Sequence, residues 1–260
     1  MRRAASVSAV SLASAMFAWF VCLPAAAGLE DAIVRVKPSI VAVGTFEPTR
    51  NPQFAFRGTG FVVGDGMLVA TNAHVLPDTV DAEKREVIAV TIPAVGERPS
   101  QRRDARVVAV DQEHDLALLR ISPPALPALP LQDAELPKEG QSVAFTGFPI
   151  GAVLGLIPTT HRATISAITP IAIPMEHARD LNARLIRELE KAPTSVLQLD
   201  GTSYPGNSGS PLYDVDTGQV VGIMNMVFVK STREAVLSQP SGISFAIPAS
   251  YLGTLLRRVQ

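Results

Sequence analysis

Gly206-Asn207-Ser208-Gly209-Ser210-Pro211 sets a serine between two glycines, with Tyr204-Pro205 leading into it. A glycine two positions before the serine lets the backbone bend tightly, so that successive N–H groups turn toward one point. That arrangement suits a nucleophilic hydroxyl beside an oxyanion hole. Taken alone, a Gly-Asn-Ser-Gly run reads more simply as a surface turn. A nucleophilic Ser208 also needs a base, and all four histidines, His74, His114, His161 and His177, precede it. This order excludes the α/β-hydrolase arrangement, in which histidine follows serine, and the flanks are not Gly-x-Ser-x-Gly. His…Asp…Ser and Asp…His…Ser remain.

His74 follows a strand-like run in the small-residue context Thr71-Asn72-Ala73, where the chain can turn and expose an imidazole. The plainer alternative is a hydrogen-bonded core histidine. Asp115 opens the apolar run Leu116-Ala117-Leu118-Leu119, which puts its carboxylate at the rim of a core. Burial there without a partner is costly, and an imidazole N–H would satisfy it. His114 adjoins Asp115, but neighbouring side chains in a strand face opposite ways, so it is not expected to share that direction. The histidines are scattered and form no His-x-x-x-His pair, and the Asp-x-Asp at Asp214 has too few neighbours for calcium. Neither a metal nor a cofactor is expected.

The elements that must carry these residues are short strands. Residues 39–46, 54–63, 67–71, 87–92, 105–110 and 116–121 read as strands in the first half, with Asp65-Gly66 as a hairpin turn. Prolines 123, 124, 127, 130 and 137 remove ladder donors, so 122–141 is a connector between two halves. Strands resume at 142–148, 160–168, 196–200, 211–213, 220–229 and 243–247. Three helices are expected: 29–37, an insertion at 174–192 with Ala178, Leu181, Leu185 and Leu189 on one face, and a terminal helix at 248–259. Many short strands with few helices predict an all-β protein, not an alternating α/β sheet. A subtilisin-like arrangement needs that alternation and is set aside.

The chain has 260 residues, 47% hydrophobic and 18% charged, with a net charge of −1. This describes a substantial core and no electrostatic footprint for nucleic acid. Arg102-Arg103 is read as a solvated strand end. Met1-Arg2-Arg3, an apolar stretch over 7–23 and Ala25-Ala26-Ala27 read as a signal peptide, residues 1–27, cleaved after Ala27. The competing reading is a retained anchor at the short limit for spanning. Cleavage removes the single cysteine, Cys22, so the exported domain has no disulfide and holds together by packing. No stable membrane insertion is expected after cleavage, and the destination is the periplasm or the medium.

Thr71-Asn72-Ala73-His74-Val75, His114-Asp115-Leu116-Ala117-Leu118-Leu119 and Gly206-Asn207-Ser208-Gly209-Ser210-Pro211 resemble the three catalytic blocks of trypsin-like serine proteases, and more narrowly the bacterial HtrA/Deg branch. Phe61-Val62-Val63, Leu129-Pro130-Leu131, Gly147-Phe148-Pro149-Ile150-Gly151 and Phe245-Ala246-Ile247-Pro248 are similar to supporting blocks of that branch. The resemblance implies two packed six-stranded antiparallel β-barrels, residues 28–121 and 142–260, with the active site in the cleft between them. It implies that Ser208 attacks the scissile carbonyl, His74 moves the proton, and Asp115 orients His74. The N–H groups of Gly206 and Ser208 would receive the oxyanion. Polypeptides, unfolded or damaged, are the implied substrates of an exported serine endopeptidase; oligomerisation stays open.

Two departures from the family pattern shape the expectation. Asn207 stands where digestive relatives carry an aspartate that pairs with a newly cut N-terminus, so order in the 204–207 loop is the expected switch. The chain ends about ten residues after Phe245-Ala246-Ile247-Pro248, leaving no room for the PDZ domains that HtrA enzymes usually carry. The insertion at 174–192 falls where the family has a regulatory loop. The specificity pocket is assigned to Thr202, Ser203 and Tyr204, to Asn225, Met226 and Val227, and to Ser244-Phe245. No acidic residue sits at its base, so small or medium apolar side chains are expected at the cleavage point. The substrate is expected to add as a strand alongside 225–227. The alternative from another class is a catalytically silent binder or chaperone of unfolded chains on the same fold.

Overall fold

The computed structural model describes residues 28–94, 99–151, 155–170, 194–225 and 242–259. The expected signal, 1–27, and the expected inserted helix, 174–192, lie outside the described residues. A short amphipathic helix, α1 (Leu29–Val36), buries Ala32 and Val36 and gives way at Pro38 to a single 3₁₀ turn. Six strands follow: β1 (Ile40–Phe46), β2 (Phe54–Val63), β3 (Leu68–Thr71), β4 (Val87–Ile92), β5 (Gln101–Asp111) and β6 (Leu116–Ile121). They close into an antiparallel barrel in the order β1-β2-β3-β6-β5-β4. The strands are rich in Val, Ile and Phe, whose branched or flat side chains pack well on a pleated surface.

The second half repeats the plan with β7 (Ser142–Gly147), β8 (Thr159–Pro170), β9 (Ser195–Asp200), β10 (Pro211–Asp214), β11 (Val220–Asn225) and β12 (Ile243–Pro248), closed in the order β10-β11-β12-β9-β8-β7. A C-terminal helix, α2 (Ala249–Arg257), completes the chain. Closure leaves no sheet edge in either barrel. The architecture is thus the expected pair of six-stranded antiparallel barrels. Among the described residues no helix is long and apolar enough to cross a membrane.

Among the described residues the interior forms three buried clusters. One fills the first barrel, with Val41, Val62, Val69, Val90 and Leu119. Another fills the second, with Phe145, Ile165, Leu197, Leu199 and Met224. The third joins the barrels: Ile40, Phe61 and Leu116 meet Ala144, Phe148, Tyr213 and Ile247, together with Leu252 and Leu255 of α2.

Arg102-Arg103 differs from its reading as a solvated strand end. β5 begins at Gln101, and Arg103 is buried, its guanidinium donating to Gln101 Oε1 and to the carbonyls of Ser122 and Pro124. This arginine helps to hold the proline-rich segment, whose Leu126, Leu129 and Gln132 N–H groups donate to the Gly66, Val62 and Val220 carbonyls. Arg102 lies over the Phe46 ring at 3.5 Å.

Candidate active site

β3 ends at Thr71, and Asn72 leads into a 3₁₀ turn, Ala73–Val75, that carries His74. Val75 is buried in the first-barrel core while His74 is exposed, because adjacent residues of so tight a turn point apart. Arg57 of β2 fixes the far side of the turn, donating to the carbonyls of Val75 at 2.6 Å and Leu76 at 3.0 Å. Pairing of Thr71 with Ala117 brings the residue two before Ala117 level with the turn. That residue is Asp115.

Asp115 has φ +52, a left-handed conformation that aspartate tolerates better than most residues. It closes the turn from Asp111, and its carbonyl accepts the N–H of Ala73 at 3.1 Å and the Asn72 side-chain amide at 3.0 Å. Its carboxylate accepts the His74 backbone N–H at 2.8 Å and meets His74 Nδ1 at 2.5 Å. A carboxylate only accepts, so Nδ1 carries a proton, and in the neutral imidazole Nε2 is then the nitrogen with the lone pair. His114 lies in this turn, not in a strand, and the reason it turns from Asp115 is different from the one expected. Its Nδ1 meets Asp111 Oδ2 at 2.8 Å, and its ring stacks on Tyr251 at 3.9 Å.

Ser208 lies in the loop between β9 and β10 and is 6% exposed. Two glycines shape that loop. Gly206 has φ +101, and a Cβ there would strike the Phe148 carbonyl; Gly209 has φ +84, and a Cβ would strike the Thr59 carbonyl. Within 206–210 the N–H groups of Asn207, Gly209 and Ser210 donate to Tyr204, Met224 and Asn207 carbonyls respectively. Those of Gly206 and Ser208 have no partner among the described residues, nor has the Ser208 hydroxyl. The Asn207 side chain is fully buried, with neither amide atom hydrogen-bonded among the described residues.

The remaining expected residues divide. The side-chain nitrogen of Asn225, assigned to substrate binding, donates to Asp115 Oδ2 at 2.7 Å. Ser203 Oγ lies 3.0 Å from the hydroxyl of Ser244, which also donates to the Gly201 carbonyl at 2.6 Å. Tyr204 faces His161, whose ring stacks on Phe145; burial pushes the His161 pKa down and favours its neutral form. Thr202 lies in the same loop, while Met226 and Val227 lie outside the described residues. One site residue has no signal in the sequence. Thr59 of β2 donates its N–H to the Ser208 carbonyl at 2.9 Å and its hydroxyl to the Gly206 carbonyl at 2.7 Å.

Residues 58–223 match the family model of the trypsin-like peptidase domain. The chain is 31% identical over 191 residues to a probable periplasmic serine endoprotease, DegP-like, of Halomonas elongata, covering 74% of this chain and 32% of that protein. It is 30% identical over 207 residues to the putative serine protease HhoA of Synechocystis, covering 77% and 42%. It is 35% identical over 237 residues to the mitochondrial serine protease HTRA2 of Bos taurus, covering 88% and 43%. The chain therefore spans between about a third and just over two-fifths of the length of these relatives. A crystal structure of a protease from M. tuberculosis in its active form superposes with a TM-score of 0.60 at 25% identity, over 88% of this chain and 83% of that one. The serine endoprotease of Yersinia pestis shares the fold, with a TM-score of 0.62 at 24% identity over 91% and 67%.

Proposed function

The chain belongs to the trypsin-like serine proteases of the HtrA/Deg type, and from that premise we propose that it is an exported serine endopeptidase using Ser208, His74 and Asp115. The observation that carries this reading is the Asp115 carboxylate, which receives both the backbone N–H and the Nδ1 of His74. An imidazole so held offers Nε2 as a base in a fixed direction. In the proposed reaction Ser208 Oγ attacks the scissile carbonyl carbon and its proton passes to His74 Nε2. The carbonyl oxygen, now an oxyanion, takes hydrogen bonds from the Gly206 and Ser208 N–H groups, which have no other partner among the described residues. Collapse breaks the C–N bond, the leaving amine takes the proton from His74, and an acyl-enzyme remains. Water, deprotonated by His74, hydrolyses that ester and regenerates Ser208.

Unfolded polypeptides are the proposed substrates, because an extended backbone is the form that brings a scissile carbonyl to Ser208 and to the Gly206 and Ser208 N–H groups. The periplasm is the proposed location, supported by the signal-like sequence of residues 1–27 and by the DegP-like relatives named as periplasmic. A second reading, a silent binder of unfolded chains, draws on the absence of a hydrogen-bond partner for the Ser208 hydroxyl among the described residues. Catalytic hydrogen bonds in unliganded enzymes are often long, so that observation weighs less than the held imidazole. Labelling with an alkyl fluorophosphonate separates the two. We expect stoichiometric labelling of the wild type, none of Ser208→Ala, and cleavage of unfolded casein by the wild type alone. A folded wild type that neither labels nor cleaves leaves the binder.

A further inference from the structure

The peptide groups around Ser208 are anchored one at a time. The Pro205 carbonyl accepts the Ile150 N–H at 2.7 Å, so the Gly206 N–H at the other end of that planar trans peptide points the opposite way. The Asn207 carbonyl accepts the Ser210 N–H at 3.0 Å, which directs the Ser208 N–H in the same fashion. The peptide between them, Gly206–Asn207, must face the other way for both neighbours to keep these directions. Its N–H donates to the Tyr204 carbonyl at 3.0 Å, and its carbonyl accepts the Thr59 hydroxyl at 2.7 Å. Among the described residues, only this one of the three carbonyls is held by a side chain, and that side chain belongs to the other barrel.

Thr59 is fully buried, and each of its polar atoms is committed. Its hydroxyl has one proton to give, which goes to Gly206, and it accepts the Phe148 N–H at 3.1 Å. Its N–H goes to the Ser208 carbonyl, and its own carbonyl accepts the Thr71 hydroxyl at 2.7 Å, three residues before His74. One residue of β2 thus ties the loop bearing Ser208 to the segment bearing His74. Resting on the peptidase reading above, we propose that the Thr59 hydroxyl is a positioning residue. By holding the Gly206–Asn207 peptide, it keeps the two N–H groups on either side directed at the oxyanion. A buried hydroxyl with a merely structural role would cost stability and leave the rate constant of the folded enzyme alone.

Thr59→Val keeps the shape and removes the donor; Thr59→Ser keeps the donor; Thr59→Cys keeps the size with a weak donor. For each, the rate of phosphonylation by an alkyl fluorophosphonate and the kcat and KM on fluorogenic casein are measured beside the melting curve. We expect folded Thr59→Val to lose about 10- to 100-fold in phosphonylation rate and kcat with KM within about threefold, because oxyanion donors act on the transition state. Thr59→Ser should recover to within about threefold of the wild type. Wild-type rates in folded Thr59→Val overturn the proposal, as does a Thr59→Ser variant as slow as Thr59→Val. If Thr59→Val does not fold, the pair Ser and Cys decides: fast Ser with slow Cys supports the hydroxyl, and equal rates overturn it. A folded wild type that never labels removes the peptidase reading itself, a result distinct from labelled variants that match the wild type.

Discussion

Asn225 donates its side-chain N–H to the same Asp115 oxygen that meets His74 Nδ1, at 2.7 Å and 2.5 Å respectively. The residue is 1% exposed and ends β11, so its backbone and its side chain serve different neighbours. Sequence reasoning assigned it to the substrate; the geometry assigns its amide to the carboxylate. The two roles predict different kinetics. A hydrogen bond to a charged group contributes about 1.5–3 kcal/mol, so loss of this donor loosens the carboxylate that fixes the imidazole. We expect Asn225→Ala to lower kcat by about tenfold, some 1.4 kcal/mol, with KM changed less than about threefold. The measurement is steady-state proteolysis of one peptide substrate. A raised KM with kcat intact returns Asn225 to the substrate pocket.

Loops between elements carry their own electrostatics. Arg50, after β1, donates to Glu86 Oε1 at 2.9 Å and to the carbonyls of Thr45 and Gln53, which ties the β1–β2 turn to the chain entering β4. Hydrogen bonds from the Thr45 hydroxyl, the Asp81 N–H and Arg50 hold the Glu86 pKa down to about 2, against 4.5 for a free glutamate. A depressed carboxyl stabilises the fold fully above the unfolded value, and that contribution is lost as pH falls from 4.5 through about 2. Glu86→Gln should therefore melt lower than the wild type at pH 6, with the difference narrowing as pH falls through this window. Parallel melting curves from pH 6 to 2 would dismiss the assignment. The strands themselves were legible: the run rich in Val, Ile and Thr at 87–92 and the apolar run at 116–121 stand as β4 and β6. Contacts between elements were not. Thr59 meets Gly206 across 147 positions, and Asn225 meets Asp115 across 110. No local periodicity encodes such a pair. Ser208, His74 and Asp115 can be proposed from the sequence because glycines, a turn and an apolar run mark each of them locally. The burial of Arg103 has no such local mark, because a charged doublet gives no sign of the Ser122 and Pro124 carbonyls that receive its guanidinium.

At the scale of the molecule, the barrels share an interior. The cluster joining Ile40, Phe61 and Leu116 to Phe148, Tyr213 and Ile247 also takes Leu252 and Leu255, so α2, which follows the last strand of the second barrel, packs over both halves. Its Tyr251 ring stacks on His114 at the β5–β6 turn, its hydroxyl accepts the Ser195 N–H at 3.2 Å, and Arg257 pairs with Asp133 at 2.8 Å. That turn ends in Asp115, so the helix supports the same loop that orients His74. Neither barrel can release this apolar surface without exposing the other's, which predicts one cooperative transition in place of two. Leu252 is fully buried at the junction. Truncation to alanine leaves a cavity and costs about 2–5 kcal/mol, which for a chain of this size corresponds to roughly 5–15 °C in melting temperature. We expect Leu252→Ala to lower a single calorimetric peak by that amount, with fluorophosphonate labelling lost over the same temperature range as the far-ultraviolet signal. Two resolved peaks, of which Leu252→Ala moves only one, would show that the halves unfold independently. In that case the seam on which Thr59 and Ser208 meet would be lost as the less stable barrel melts, while the other stayed folded.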